Sequence, residues 1–249
     1  MKIRFVIILL CFFPELWGQH TISDSLLLAK IFGSTDPDGQ TFTCIDCKDE
    51  SMYSYQDEVV FKIVFKSEIV LDEEALLLVI AEAPYGTQHG HQFGYQHLYF
   101  FKRQDKDWSI VDSIVMEDLT PIGDQSEFSI VDIGKNKKAL ISTFQSTGNH
   151  HLETTLSIDL IERSKLTFLF SINAEYSNLA FMEPVSVGED CPGESYEETY
   201  EIIPSDSEWY EIRVHRKEFA YSRGCKDAIL KSDIEKRFLF FEGKYLEQN

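Results

Sequence analysis

Apolar and polar residues alternate along several segments of the chain, and this alternation constrains its fold more than any other feature. Between residues 59 and 65 every second residue is valine, phenylalanine or isoleucine, and residues 152–160 and 166–172 largely repeat the pattern. A period of two is typical of a strand with one face on a core and the other in water. The sequence therefore predicts an all-β protein of antiparallel strands.

One segment departs from this alternation. Residues 75–81 read Ala-Leu-Leu-Leu-Val-Ile-Ala, without a polar residue. A strand tolerates such a run only when both of its faces are covered. We expect this strand to lie at the centre of a sheet.

The strand pattern recurs as a loose internal repeat, whose units begin at Glu58, Glu127 and Tyr196, about 69 residues apart. Each unit holds roughly four strands, and the third unit is the least regular. Its candidate strands are 200–203, 208–215 and 236–241, beside a helical turn at 226–231. Successive antiparallel strands joined by short turns form meanders. We predict antiparallel meander units packed as a sandwich, and the alternative is a blade-like (propeller-like) array.

The first 18 residues are typical of a secretory signal peptide. Lys2 and Arg4 precede an apolar run from Phe5 to Phe13, and Gly18 offers a small residue for cleavage. No later stretch of the sequence reaches the roughly 20 apolar residues that a membrane-spanning helix needs. We therefore expect an exported, soluble chain, periplasmic or secreted, without stable membrane insertion.

Residues 19–57 are predicted to form a short N-terminal helix and a Cys-x-x-Cys segment. The Ser23-Asp24-Ser25 sequence before Leu26 offers helix-capping side chains, and Gly33 is typical of a helix end. We expect one β-rich domain of about three meander units to follow, over residues 58–249.

The chain is strongly acidic, with a formal net charge of −19. Such an excess disfavours binding to nucleic acids and to anionic membrane surfaces. It favours solubility, cations or a basic protein partner. The alternative is that the charge serves solubility alone.

Four cysteines lie beyond the predicted signal peptide: Cys44, Cys47, Cys191 and Cys225. Disulfides are the default for an even count in an exported chain. Three pairings are possible. The first choice joins Cys191 to Cys225 and Cys44 to Cys47, whereas a crossed pairing would join the N-terminal segment to the C-terminal one.

Five of the seven histidines fall in two places. They are His89, His91 and His97 in the first, and His150 and His151 in the second. Both places connect the second strand of a unit to the third, so we expect them at the same edge of the protein. Neutral imidazoles that converge can bind zinc or copper, which makes these five residues the candidate metal ligands. The alternative is that histidine suits glycine-rich exposed loops and binds nothing there.

Aromatic residues give a second candidate surface. Tyr95, Tyr99, Phe100 and Phe101 crowd one predicted strand, and such surfaces bind sugars or protein partners. In the strand 208–215, alternation leaves Trp209 on the outer face as an exposed aromatic. The alternative is that these rings fill the core.

The sequence lacks the common catalytic signatures, such as Gly-x-Ser-x-Gly, His-Glu-x-x-His and the phosphate-binding glycine loops. We therefore predict an exported, acidic binding or interaction protein without evident catalytic apparatus, and its partner is expected to be a protein or a glycan. The acidity fits an inhibitor or protective partner of a basic protein, with loops 84–97 and 146–151 as its functional edge. One alternative is a metal-binding protein or metal-dependent hydrolase that uses the His89/His91 and His150/His151 loops. The other is a carbohydrate-binding module.

Overall fold

The structure is a computed structural model. It describes residues 22–45, 58–71, 73–88, 91–104, 107–116, 127–148, 151–162, 165–178, 190–191, 193–222, 225 and 227–248. The predicted signal peptide lies outside the described residues.

Within these ranges the chain forms one helix and thirteen strands, which confirms the predicted all-β class with a short N-terminal helix. The helix is α1 (Asp24–Phe32). The first five strands are β1 (Thr41–Ile45), β2 (Glu58–Leu71), β3 (Glu74–Gln88), β4 (His91–Gln104) and β5 (Asp107–Met116). The next four are β6 (Glu127–Gly134), β7 (Lys137–Gly148), β8 (His151–Glu162) and β9 (Lys165–Ser177). The last four are β10 (Glu194–Ile203), β11 (Glu211–Tyr221), β12 (Ala228–Phe241) and β13 (Lys244–Gln248).

The strands form two antiparallel meanders. One sheet has the order β1-β2-β3-β4-β5, and the other has the order β13-β12-β11-β10-β9-β8-β7-β6. Every neighbour in a sheet is therefore also a neighbour in the chain. The strands from Glu127 onward share one sheet, so they do not form separate blades.

The helical turn predicted at 226–231 is wrong. Ala228 and Leu230 belong to β12, where they pair with Tyr221 and Phe219 of β11. Pairing with β11 satisfies their backbone hydrogen bonds, and this tertiary contact outweighs the local preference for a helix.

The helix begins and ends where the sequence predicts. The Ser23 side chain accepts a hydrogen bond from the Leu26 N–H, and Gly33 takes the left-handed conformation at φ 83°. Leu27 and Leu28 are buried. The Phe32 ring stacks on Phe42 at 4.4 Å between centroids, so the helix covers one face of the five-stranded sheet.

The apolar run of β3 is central, as predicted, because the two faces of this strand belong to two different cores. Leu77 and Val79 pack in a cluster with Leu27 of the helix. Leu78 and Ile80 pack in a second cluster with Leu140 of β7, and this second cluster joins the two sheets face to face. Both faces of β3 are thus covered, which explains why its side chains need not alternate.

The eight-stranded sheet curls into a half-barrel around a third apolar cluster, which we call the half-barrel core. Its buried members are Ile133, Ala139, Ile141, Leu156, Ile158, Leu160, Leu169, Phe170, Ile172, Ile212, Val214 and Tyr245. We call the side of the sheet that carries these residues the inner face. The Tyr245 hydroxyl of β13 donates a hydrogen bond to the Tyr210 carbonyl at 2.9 Å and lies 3.4 Å from the Ile133 carbonyl of β6.

The segment between β10 and β11 closes one end of this curl. Gly134 of β6 forms an isolated antiparallel bridge with Trp209. The Tyr210 N–H donates to the Ile133 carbonyl at 2.9 Å, and the Lys135 N–H donates to the Glu208 carbonyl at 3.0 Å. These contacts connect the edge strand β6 to the opposite half of the sheet.

Candidate binding cleft

The inner face changes from apolar to polar along β11. Ile212 and Val214 are buried in the half-barrel core, and the next two residues on the same face are Arg216 and Glu218. Side chains two residues apart in a strand point to the same side, so these two polar groups lie on the inner face beyond the end of the core. This polar end of the inner face is the candidate site.

Strand register aligns a row of five side chains across this end. Glu153 of β8 pairs with Tyr176 of β9, and Tyr176 pairs with Tyr196 of β10. Tyr196 pairs with Glu218 of β11, which pairs with Ser232 of β12. Directly paired residues share a face of the sheet, so two tyrosines lie side by side between two carboxylates.

The two tyrosine rings stack at 5.4 Å between centroids, with 12° between their planes. The Arg216 guanidinium lies 3.9 Å from the Tyr196 centroid. This distance is within the range of a cation–π interaction. The row therefore already holds one guanidinium of this chain against an aromatic ring.

Hydrogen bonds fix that guanidinium in place. Its Nη1 donates to Glu198 at 3.1 Å and its Nε donates to Glu218 at 2.8 Å. Ser232 donates to the second oxygen of Glu218 at 2.9 Å. These bonds orient the side chains before any ligand arrives, which reduces the conformational entropy that binding must cost.

Protonation states follow from these contacts. The hydrogen bonds from Ser232 and Arg216 lower the pKa of Glu218. Burial raises the pKa of Tyr196, against a smaller opposing effect of its hydrogen bond with Asn173. At neutral pH the row thus presents a charged carboxylate beside a neutral phenol.

A hollow of about 360 Å³ lies over this row. Its lining also includes Glu194, Ser195, Phe219 and Lys231. A second hollow of about 310 Å³ lies between β9 and β10 and shares Asn173, Tyr196 and Arg216 with the first. We call the two hollows together the cleft.

An exposed apolar rim borders the cleft. Ile229 and Leu230, at the start of β12, are 52% and 53% exposed. Leu230 pairs with Phe219, which lines the first hollow. Large apolar side chains in such positions are typical of surfaces that bind other proteins.

A disulfide links the turn before this rim to the segment that precedes β10. Cys191 and Cys225 are bonded, with 5.1 Å between their Cα atoms, which confirms that predicted pair. The bond joins the residues preceding β10 to the turn between β11 and β12. Cys44 lies in β1 opposite Val59, and Cys47 lies outside the described residues, so the second predicted pair stays a prediction.

The long loops predicted at 84–97 and 146–151 are wrong, because strands occupy most of these residues. Strand β3 extends to Gln88 and β4 starts at His91, and these two residues pair. In the same way Gly148 of β7 pairs with His151 of β8. The glycine-rich composition suggested loops. In the structure the two strands of each hairpin hydrogen-bond to each other, and a register shift in the ladder accommodates Pro84.

Of the predicted metal ligands, His89 and His150 lie outside the described residues. The backbones of His91 and His151 begin β4 and β8. Among the residues that the structure describes, no group of three or more histidine, cysteine or acidic side chains could hold a metal ion. A zinc or copper site at the hairpin ends stays a prediction.

His97 lies well inside β4. It lies six positions after His91 in the same strand, about 20 Å along an extended backbone. Its ring packs 5.6 Å from Phe61 and 6.2 Å from Tyr99, measured between centroids. The Nε2 atom is buried without a hydrogen-bond partner, and burial lowers the pKa of His97. The His97 ring thus packs among aromatic residues, and its role as a metal ligand stays a prediction.

Alternation predicted Trp209 on the outer face of β11, but the structure places it elsewhere. It is half-buried against the half-barrel core, where its ring stacks on Phe240 at 3.5 Å between centroids. The Lys137 ammonium lies 4.5 Å from the indole centroid. Because Trp209 precedes β11 and bridges to Gly134, the alternation of that strand does not extend to it. In the first unit Tyr99, Phe100 and Phe101 are also buried, as the alternative of core filling anticipates.

Sequence reasoning missed one buried polar pair. Glu82 and Gln96 are 2% and 0% exposed, and the Gln96 amide donates to Glu82 at 3.1 Å. Lys62 lies 4.0 Å from the same carboxylate. The signal in the sequence was a single acidic residue directly after the apolar run of β3. This pair satisfies polar groups inside the protein and does not belong to the cleft.

No helix of the described part of the chain is long and apolar enough to cross a membrane. Comparison of the chain with protein-family models, with curated proteins and with solved structures finds no match.

Proposed function

We propose that this protein is an exported, acidic binding protein whose cleft accepts a cationic side chain of a basic protein partner. The observation that carries the proposal is the row in which Tyr176 and Tyr196 lie between Glu153 and Glu218. Stacked phenol rings flanked by carboxylates suit a guanidinium or an ammonium group. Arg216 illustrates that chemistry within the chain itself.

Several features favour a protein over a small ligand as the partner. Tyrosine and arginine are the residue types that dominate the binding energy of protein interfaces. The exposed Ile229 and Leu230 beside the cleft would gain from burial against apolar side chains of a partner. The net charge of −19 would attract a basic protein over a long range and accelerate its association.

A partner held in this way would have one of its cationic side chains and the surrounding surface covered. The protein would then inhibit a basic enzyme or protect a basic protein from other partners. The function predicted from the acidity, that of an inhibitor or protective partner of a basic protein, would thus be carried out by the cleft.

The test measures binding of the chain from residue 19 onward to lysozyme, cytochrome c and ribonuclease A as defined basic proteins. The decisive comparison is between Glu218→Gln in the cleft and Glu197→Gln on the outer face. Glu197 is exposed and alternates with the cleft residues of β10, so both variants remove one negative charge. We expect Glu218→Gln to weaken binding of at least one of these proteins by about tenfold and Glu197→Gln to weaken it less than twofold.

Salt and sugars complete the test. The affinity should fall as salt rises from about 50 to 300 mM, because charge attraction is screened. Equal losses in the two variants would mean that the net charge binds and the cleft does not. Binding of neutral oligosaccharides with loss in Glu218→Gln, and no binding of the basic proteins, would replace the protein partner with a glycan.

A further inference from the structure

The ladder between β9 and β10 is unusually short. It consists of three pairs: Ser177 with Ser195, Tyr176 with Tyr196, and Glu175 with Glu197. The neighbouring ladder between β10 and β11 has ten pairs. Toward the N-terminal end of β9 the two strands diverge, and the eight-stranded sheet contains a fork at this place.

Among the described residues, the fork leaves two strand edges without a neighbouring strand on one side. Over residues 165–173 the ladder partners of β9 belong to β8 alone, and over residues 198–203 those of β10 belong to β11 alone. Unpaired backbone N–H and C=O groups along such an edge can pair with an added strand.

The floor of the fork is built by side chains of the inner face. The Phe170 and Phe238 rings are 4.6 Å apart between centroids and lie beneath it. The hollow of about 310 Å³ above them is also lined by Ile172, Val214 and Glu198, and by the cationic side chains of Arg216 and Lys236. Ser171 and Asn173 are exposed, so the fork is open to solvent.

Continuing the register of the three pairs predicts what an added strand would meet. Glu198 would stand opposite Ala174, Tyr200 opposite Ile172, and Ile202 opposite Phe170. We call these three positions levels. The first level carries the Glu198 carboxylate, which accepts a hydrogen bond from Arg216, and the next two levels are apolar. Alternate side chains of a strand are two residues apart, so the levels match residues i, i+2 and i+4 of a ligand.

We propose that an extended segment of the basic partner adds to β9 in this fork as an antiparallel strand. The segment reads basic-x-apolar-x-apolar from its N-terminus, because it runs in the direction of β10 and meets Glu198 first. Main-chain hydrogen bonds to β9 supply affinity, and the side-chain levels supply specificity. This inference rests on the proposed function and names its mode of recognition.

The test uses the labelled peptide Gly-Thr-Arg-Thr-Val-Thr-Ile-Thr-Gly and fluorescence anisotropy with the chain from residue 19 onward. A peptide with the order Ile-Thr-Val-Thr-Arg serves as the composition control. We expect the first peptide to bind about tenfold more tightly than the reversed one, since reversal places arginine on the apolar level.

Backbone methylation separates strand addition from simple attraction. Two further peptides carry N-methyl groups on alternate residues, either on the threonines or on the arginine, valine and isoleucine. In an extended strand the N–H groups of alternate residues point to the same side, so at least one of the two peptides should lose binding by about tenfold or more. Unchanged binding of both methylated peptides would overturn strand addition.

A pair of protein variants locates the peptide. Asn173→Arg adds a positive charge inside the fork, and Thr199→Arg adds the same charge at an exposed position on the outer face of β10. We expect the first variant to weaken peptide binding by about tenfold and the second to weaken it much less. Equal effects of the two variants would contradict binding in the fork.

The two proposals fail in different ways. If basic proteins bind with the expected dependence on Glu218 while the methylated peptides bind as well as the parent peptide, the proposed function stands and strand addition is wrong. If neither the basic proteins nor the peptides bind, both are wrong.

Discussion

Replacement of Gly134 by alanine tests whether the contact between β6 and the segment before β11 stabilises the half-barrel. A Cβ atom built on Gly134 would overlap the Glu208 carbonyl oxygen and would lie 3.2 Å from the Trp209 Cα. Both atoms belong to the backbone, so no side-chain rotation relieves the overlap. The segment 208–210 must therefore move away from β6.

The expected loss can be worked from the contacts that such a movement breaks. Two backbone hydrogen bonds join the segment to β6, and each contributes about 1 kcal/mol. Partial exposure of Trp209 adds about 1 to 2 kcal/mol of lost apolar burial. We expect Gly134→Ala to lower the free energy of unfolding by about 2 to 4 kcal/mol.

The assay is urea denaturation followed by far-UV circular dichroism and by tryptophan fluorescence. Gly243→Ala is the matched control, because Gly243 has a φ of 89° and no atom lies within 4 Å of the added methyl group. That control should cost only about 1 kcal/mol, from the strained backbone alone. A loss in Gly134→Ala no larger than in the control, with unchanged fluorescence, would refute the reasoning.

Three further predictions concern stability. Glu211 accepts hydrogen bonds from Arg237 and Arg213, which lower its pKa to about 2 from 4.5, so Glu211→Gln should cost about 1 kcal/mol at neutral pH in urea denaturation. Because the folded-state pKa is depressed, this loss should shrink as the pH falls from about 5 toward 2, and a loss independent of pH would contradict the assignment. Burial lowers the pKa of His97 below 6.5. As the pH falls, the imidazole is therefore protonated in the unfolded chain before it is protonated in the folded chain, so the free energy of unfolding should decrease from about pH 7 to pH 5. His97→Phe should reduce this dependence of stability on pH, and an unchanged dependence would argue against the assignment. Replacing both Cys191 and Cys225, which are 34 residues apart in sequence, by serine should cost about 3 to 4 kcal/mol in thermal unfolding, and a loss below about 1 kcal/mol would mean that the loop is restrained without the bond.

Local patterns predicted the elements well. Alternation from Val59 and the unbroken apolar run of β3 both identify strands, because consecutive residues of a strand point to opposite faces and their polarity shows which faces are buried. Ser23 and Gly33 likewise delimit the helix through their own chemistry, a side-chain acceptor and a left-handed backbone.

The curl of the second sheet could not be predicted from sequence. It depends on Gly134, Trp209 and Tyr245, which are far apart in the chain and meet only once eight strands are in register. Gly134, before Lys135 and Asn136, suggests an ordinary turn. Nothing in the local sequence indicates that the absence of a side chain there allows the backbone of Glu208 and Trp209 to approach.

The cleft was missed for the same reason. Tyr176 and Tyr196 each belong to an ordinary alternating strand, and their neighbours Glu153 and Glu218 are two of many acidic residues. Only the register of four strands places them in one row. The histidines drew attention because they cluster in sequence, whereas the row clusters in space.

Hydrogen–deuterium exchange of the chain with and without the basic protein that binds it most tightly tests the central claim most directly. The account predicts that the partner protects backbone amides in 170–176, 194–203 and 214–218, the strands that line the cleft and the fork. Protection confined to the hairpin ends around 88–91 and 148–151, with these strands unchanged, would contradict it.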